Sequence, residues 1–118
     1  MNSDEYAILL ACERGNLERV KSLVKKGTSV NFVNVDYDDS GDEDLPTPLH
    51  VAVYNEHIEV VIYLLSQQVS TTVGNNRQNT PLHVAARVHN RIIYDILLVA
   101  GADPKIRNGK GKTPRQYL

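Results

Sequence analysis

Thr47-Pro48-Leu49-His50-Val51-Ala52 returns as Thr80-Pro81-Leu82-His83-Val84-Ala85, 33 residues later, and a third pair, Thr113-Pro114, follows after another 33. A unit repeated every 20–50 residues or so is too thin to bury its own apolar face, so it stacks on its neighbours. The hexapeptide reads as a helix start. A threonine hydroxyl caps a free backbone N–H, an interaction worth about 0.5–2 kcal/mol. Proline at the first helical position loses no hydrogen bond and arrives with its φ preset. Leu49 and Leu82 then point into the stack, Ala52 and Ala85 mark close helix–helix approach, and each histidine is expected to tie loop to helix as a buried hydrogen-bonding group.

A second helix follows in each unit. In the middle unit it is His57–Leu65, with Ile58, Val61, Ile62 and Leu65 expected on one face at a period near 3.6. In the next, Ile92–Leu98 closes at Gly101-Ala102-Asp103-Pro104, where glycine supplies the left-handed residue that ends a helix. Upstream, Leu17–Val20 and Leu23–Gly27 keep the second-helix frame, and Tyr6-Ala7-Ile8-Leu9 stands where Thr-Pro-Leu-His would be. Ser3 or Asp4 is expected to cap that first helix. Ala11 to Ala52 is 41 residues against 33 for Ala52 to Ala85, so the first connection carries eight extra residues. They fall in residues 36–44, which hold six acids and no apolar period, and they read as a solvated loop.

The repeated Thr-Pro-Leu-His-Val-Ala resembles the ankyrin repeat, whose signature is T-P-L-H-x-A. The resemblance implies an all-α repeat fold: an ankyrin-repeat solenoid of helix-turn-helix pairs joined by β-hairpin-type loops. The whole chain, 1–118, then forms one domain. Repeat 1 covers about residues 4–46 with the acidic insertion at 36–44, repeat 2 covers 47–79, repeat 3 covers 80–112, and a partial repeat 4 covers 113–118. Four departures from the family pattern stand out. Gln68 replaces a helix-ending glycine, Leu45 and Gln78 replace turn glycines, and Arg91-Ile92 exchanges a usual apolar-charged order. The fourth repeat stops inside its first helix, so the natural chain is expected to continue past Leu118.

The family's mode of action implies a non-catalytic module that binds a protein or peptide along its groove and hairpin tips. By position, the first helices would contribute Glu13, Arg14, Tyr54, Asn55, Arg87 and Val88. The fingers would contribute Glu43, Asp44, Asn76, Arg77, Asn79, Lys110 and Lys112. Asn31 stands where the family often carries a hydroxylatable asparagine, although a structural role tying the hairpin is the favoured reading. Ser40, with acids at 42–44, is similar to an acidophilic serine-kinase site, and phosphate there would add to an already acidic loop.

Composition narrows the function classes further. With 42% hydrophobic and 23% charged residues the chain is ordinary for a folded domain. One cysteine, Cys12, excludes an internal disulfide and fits a reducing compartment. No signal peptide or spanning segment is readable, so an intracellular, cytoplasmic or nuclear protein is expected. Net charge is −1 but unevenly placed: residues 1–59 carry −7 and residues 60–118 carry +6. Such asymmetry bears on partners more than on fold.

The four histidines (His50, His57, His83 and His89) lack metal-site spacing, and no metal or cofactor is expected. Cys12 sits where small packed residues are usual in a first helix. Gly109-Lys110-Gly111-Lys112 lacks the strand and helix context of a phosphate loop. The basic run Lys105, Arg107, Lys110, Lys112 and Arg115 has no interleaved aromatics, which favours an acidic protein surface over nucleic acid. The sequence therefore argues for a binding module and against an enzyme. Two other readings stay open: a regulatory or targeting segment of a longer enzyme, and a small stand-alone inhibitor of a kinase or transcription factor.

Overall fold

The computed structural model describes residues 2–34 and 44–118. These form three helical hairpins: α1 (Ser3–Arg14) with α2 (Leu17–Lys26), α3 (Pro48–Tyr54) with α4 (Ile58–Ser66), and α5 (Pro81–Arg87) with α6 (Arg91–Val99). A 3-10 turn, Pro114–Tyr117, closes the far end against α5. The first helices pack in the order α1–α3–α5 and the second in the order α2–α4–α6, giving two layers. This is the all-α repeat solenoid expected from the 33-residue period.

The Thr-Pro starts behave as their chemistry dictates. Thr47 Oγ1 accepts the His50 N–H at 3.1 Å and Thr80 Oγ1 accepts the His83 N–H at 3.4 Å, with proline next in both. Leu49, Ala52, Leu82 and Ala85 are buried as expected, in a continuous core with Ile8, Cys12, Leu23, Leu64 and Leu97. The cap of α1 differs from expectation: it is Asn2, in a reciprocal capping box with Glu5 (2.8 and 3.1 Å), not Ser3 or Asp4. Asn can begin the helix one residue earlier because its carboxamide accepts from Glu5 N while Glu5 reaches back.

The expected face of α4 is also corrected. Val60, Val61 and Leu64 are buried, whereas Ile62 is 51% exposed and Ile58 and Leu65 are half-buried. Ile58-Glu59-Val60-Val61-Ile62-Tyr63-Leu64-Leu65 is apolar at nearly every position, so period alone could not locate the inward stripe. The Arg91-Ile92 exchange resolves simply. Arg91 begins α6 exposed and pairs with Asp95 at 3.5 Å across one turn, while Ile92 stays 61% exposed.

Three sets of left-handed residues make the corners. The turns within the hairpins use Gly15, Glu56 and His89 (φ +69, +60 and +57), and the second helices end at Gly27, Gln68 and Gly101 (φ +109, +60 and +98). The finger tips use Gln78 and Gly111 (φ +61 and +72). Gln68 therefore holds the geometry of Gly27 and Gly101, and Gln78 that of Gly111.

Among the described residues the fingers are hydrogen-bonded turns without regular strands. Asn75 N donates to Asn79 O at 3.0 Å and Asn108 N to Lys112 O at 2.9 Å. Asn34 N donates to Pro46 O at 2.6 Å, joining the two ends of the first connection. The fingers are linked in series, because Gly109 N donates to Arg77 O at 2.9 Å and Asn76 N to the Asp44 carboxylate at 3.0 Å.

Candidate functional site

The face made by α1, α3 and α5 and edged by the fingers carries two recesses. The first lies between α1 and α3, a hollow of about 550 Å³. Tyr6, Leu9 and Leu10 of α1, Leu45, and Tyr54 of α3 line it, with Glu13 and Asn55 also on the lining. Tyr6, Leu10 and Tyr54 are 52%, 45% and 43% exposed, so large apolar side chains face solvent together here. Asn55 turns its carboxamide back onto its own helix, donating to Val51 O at 2.8 Å.

The second recess, of about 260 Å³, lies between the second and third fingers and the end of α5. Arg77, Arg87 and Lys110 supply its charge, Asn79 and Asn108 its amides, and Tyr117 an aromatic wall. The Arg87 guanidinium stands 5.7 Å from the Tyr117 ring centroid and the Lys112 ammonium 5.6 Å, both within cation–π range. Tyr117 also meets His83 edge-on at 6.3 Å.

Buried polar groups hold these recesses in shape. His50 Nε2 lies 3.0 Å from Asn79 O and His83 Nε2 lies 2.9 Å from Lys112 O. A carbonyl only accepts, so each Nε2 carries the proton and donates. For His83, Nδ1 accepts the Thr80 N–H at 3.1 Å, which requires that nitrogen to be bare. His83 is therefore the neutral Nε2–H tautomer, and both rings pin a first helix to the finger that follows. His57 does the same between repeats, donating from Nε2 to Glu13 O at 2.8 Å. Among the described residues no three His, Cys, Asp or Glu side chains converge as a metal site.

Cys12 is fully buried between the helices, and burial pushes its thiol up to about 12. It stays protonated at neutral pH, as a buried packing thiol does.

The structure sorts the residues singled out from the sequence into groups. Glu13, Tyr54 and Asn55 meet at the first recess, and Arg77, Asn79, Arg87 and Lys110 meet at the second, with Lys112 on Tyr117 beside it. Val88 is half-buried after α5. Arg14 lies apart, in a shallow depression with Ala7, Leu10 and Arg19 at the opening end of the array. Asp44 and Asn79 are buried, 6% and 2% exposed, and are tied into the finger network. Asn76 is exposed, with its N–H on the Asp44 carboxylate. Asn31 is exposed and its Oδ1 accepts the Ser70 N–H at 3.1 Å, linking successive connections. Ser40 and Glu43 lie outside the described residues.

Sequence reasoning missed Tyr6, Leu9, Leu10, Asn108 and Tyr117. The signal for the first three was present: α1 has apolar residues both on its buried stripe (Ile8, Ala11 and Cys12) and off it. That doubling marks a second apolar face on the helix.

A sequence profile of ankyrin repeats (3 copies) matches residues 8–108. The chain is 39% identical over 103 residues to the palmitoyltransferase AKR1 of Lachancea kluyveri, covering 86% of this chain and 13% of that protein. It is 38% identical over 112 residues to the putative ankyrin repeat protein FPV031 of fowlpox virus, covering 91% of this chain and 30% of the other. It is 33% identical over 107 residues to the palmitoyltransferase Hip14 of Drosophila melanogaster, covering 90% and 16%. The chain thus spans under a third of the length of each of these relatives, and among the described residues no helix is long and apolar enough to cross a membrane.

Proposed function

Since this chain belongs to the ankyrin-repeat family, we propose that it binds one extended protein segment along the face of α1, α3 and α5, with the α1–α3 hollow as its anchor. One observation carries this reading: three large side chains, Tyr6, Leu10 and Tyr54, stand about half exposed around a single hollow of about 550 Å³. Apolar groups gathered in a recess cost solvation until a partner covers them, and tyrosine is enriched among binding hot spots. Glu13 and the finger residues Asn76, Arg77, Lys110 and Lys112 form the polar rim on this reading.

The test is partner capture from native extract with single-residue variants. Tyr54→Ala and Leu10→Ala should each weaken binding by more than about 1 kcal/mol. Ile62→Ala, on the outer surface of α4, should leave it unchanged. The reverse pattern would place the partner on the second-helix layer and sink the groove assignment.

The relatives favour a second reading, in which the repeats are the targeting or regulatory part of a longer enzyme. Two of the three are palmitoyltransferases matched over 13% and 16% of their length. The full open reading frame in the source organism decides between the readings, since a catalytic domain beyond the repeats would favour the second.

A further inference from the structure

The outer layer of α2, α4 and α6 carries apolar groups that the groove reading does not use. Ile62 of α4 and Ile92 and Val99 of α6 are 51%, 61% and 90% exposed. Ile58, Leu65 and Ile96 of the same two helices are half-buried. The Lys21 ammonium of α2 stands 5.8 Å from the Tyr63 ring centroid on α4, which shows the positions at which neighbouring outer helices meet. One repeat on, those two positions hold Ile62 and Ile96. The seam between α4 and α6 is therefore apolar where the seam between α2 and α4 carries a cation. We propose that this face docks a second copy of the chain, α4 against α4, about a two-fold axis running along that helix.

The pattern of signs across the layer is what selects a second copy. Lys21, Ile62 and Asp95 occupy one position in successive repeats: 41 residues separate the first two, the period plus the eight-residue insertion, and 33 separate the next two. The row reads cation, apolar, anion. A two-fold at its centre sets Ile62 on its own copy and Lys21 opposite Asp95 of the second copy, and it makes that pairing twice. The first turns carry the same relation with the signs exchanged, Glu18 in α2 and Arg91 in α6. Both charges of α6 already have a contact, since Arg91 pairs with Asp95 at 3.5 Å, with the two side chains 72% and 60% exposed. Rotation about an axis along the helices keeps their direction, so this cation-then-anion order meets the anion-then-cation order of Glu18 and Lys21. Docking then joins them as a four-charge network and takes no existing contact away. Such self-complementarity is what an isologous interface requires.

Three exposed apolar side chains make a small centre. The dimer therefore belongs to the weak class that buries less than about 1,200 Å² in total, with a dissociation constant of roughly 10–100 µM. The face of α1, α3 and α5 belongs to the other layer and stays open to its own partner.

The test is sedimentation equilibrium of the 118-residue chain, from roughly 1 µM to 1 mM to bracket that constant. A reversible monomer–dimer transition is expected. Ile62→Asp should give monomer throughout and keep its helical circular dichroism, because the side chain it replaces is about half exposed. Lys21→Asp and Asp95→Lys should each weaken the dimer by about ten-fold, since two like-charge contacts replace two opposite ones. Combined, they should return it to within a few-fold of the parent. Glu59→Gln should tighten it, because Glu59 on α4 meets its own copy beside the axis. Tyr54→Ala, on the other layer, should change nothing. Monomer at every concentration would overturn the proposal, as would a dimer indifferent to Ile62→Asp. Failure of the double charge swap to recover what each single swap loses would overturn the two-fold register. A dimer lost with Tyr54→Ala and kept with Ile62→Asp would overturn it by placing the second copy at the α1–α3 hollow. The groove reading is judged separately, by partner capture, so either can fail while the other stands.

Discussion

At residue scale, the corners of the array show how one atom decides what a position tolerates. Gly15 and Gly27 both have positive φ, +69 and +109, but they face different surroundings. A Cβ at Gly27 would meet nothing within 4 Å, whereas at Gly15 it would lie 2.6–2.8 Å from the His57 ring. That ring cannot simply retreat, because its Nε2 donates to Glu13 O at 2.8 Å and joins the first repeat to the second. Gly27→Ala should therefore cost only the left-handed penalty, about 1 kcal/mol. Gly15→Ala should cost that penalty plus a displaced hydrogen bond, about 2–3 kcal/mol together. Urea unfolding of the two variants checks this, and equal midpoints would show that His57 moves freely. Gln68 carries the same conformation without glycine. Its side chain is exposed at the helix end, so the left-handed conformation adds no clash with neighbouring groups to the residue's own strain.

At the scale of the element, each described finger is organised by one asparagine. Asn75 Oδ1 accepts the N–H groups of Arg77 and Asn79, each at 3.0 Å, and its Nδ2 donates to Asp44 O at 3.1 Å. Asn108 repeats the arrangement 33 residues on, with Asn79 Oδ1 as the acceptor in the preceding finger. Asn75→Ala should cost about 2–4 kcal/mol, because it strips buried donors of their acceptor, each worth about 1–3 kcal/mol. Asn75→Asp keeps both acceptances and should lose less. Denaturant midpoints order the three proteins, and an aspartate variant as weak as alanine would shift the importance to the Asp44 bond. The helices were legible in the sequence because their determinants are local: a threonine cap, a proline and a glycine, each within one turn of what it controls. The asparagines were not, because their partners in the preceding finger stand 29 and 31 residues away. The hydrophobic hollow escaped for a related reason. An apolar residue reads as core by default, so the surplus of apolar residues in α1 was legible while which of them stay outside the core, Tyr6 and Leu10, came from the packing of α1 on α3. Ile62 was misread in the opposite direction, since α4 carries apolar residues on its solvent side as well as its buried one.

Across the whole molecule, the charge asymmetry of the sequence becomes a direction along the groove. Glu13 borders the apolar hollow at the first-repeat end, and Arg77, Arg87 and Lys110 gather at the third-repeat end. Helix layers spaced by roughly 8–10 Å place successive repeats about a Debye length apart at physiological salt. The two ends therefore keep distinct local fields although the net charge is −1. On the proposed reading, a partner segment presents an apolar group to one end and an anion to the other, which fixes its polarity along the face. Charges exposed at a rim act mainly on encounter, while a desolvated anchor acts on lifetime. Arg77→Glu combined with Lys110→Glu should slow association by about ten-fold or more and flatten its dependence on ionic strength, with a smaller change in dissociation. Tyr54→Ala should do the opposite, mainly raising the dissociation rate. Surface-plasmon kinetics at low and high salt separate the two effects. If the charge reversal left the association rate and its salt dependence unaltered, the basic end would have no part in steering the partner, and the segment's orientation would have to come from the apolar hollow alone.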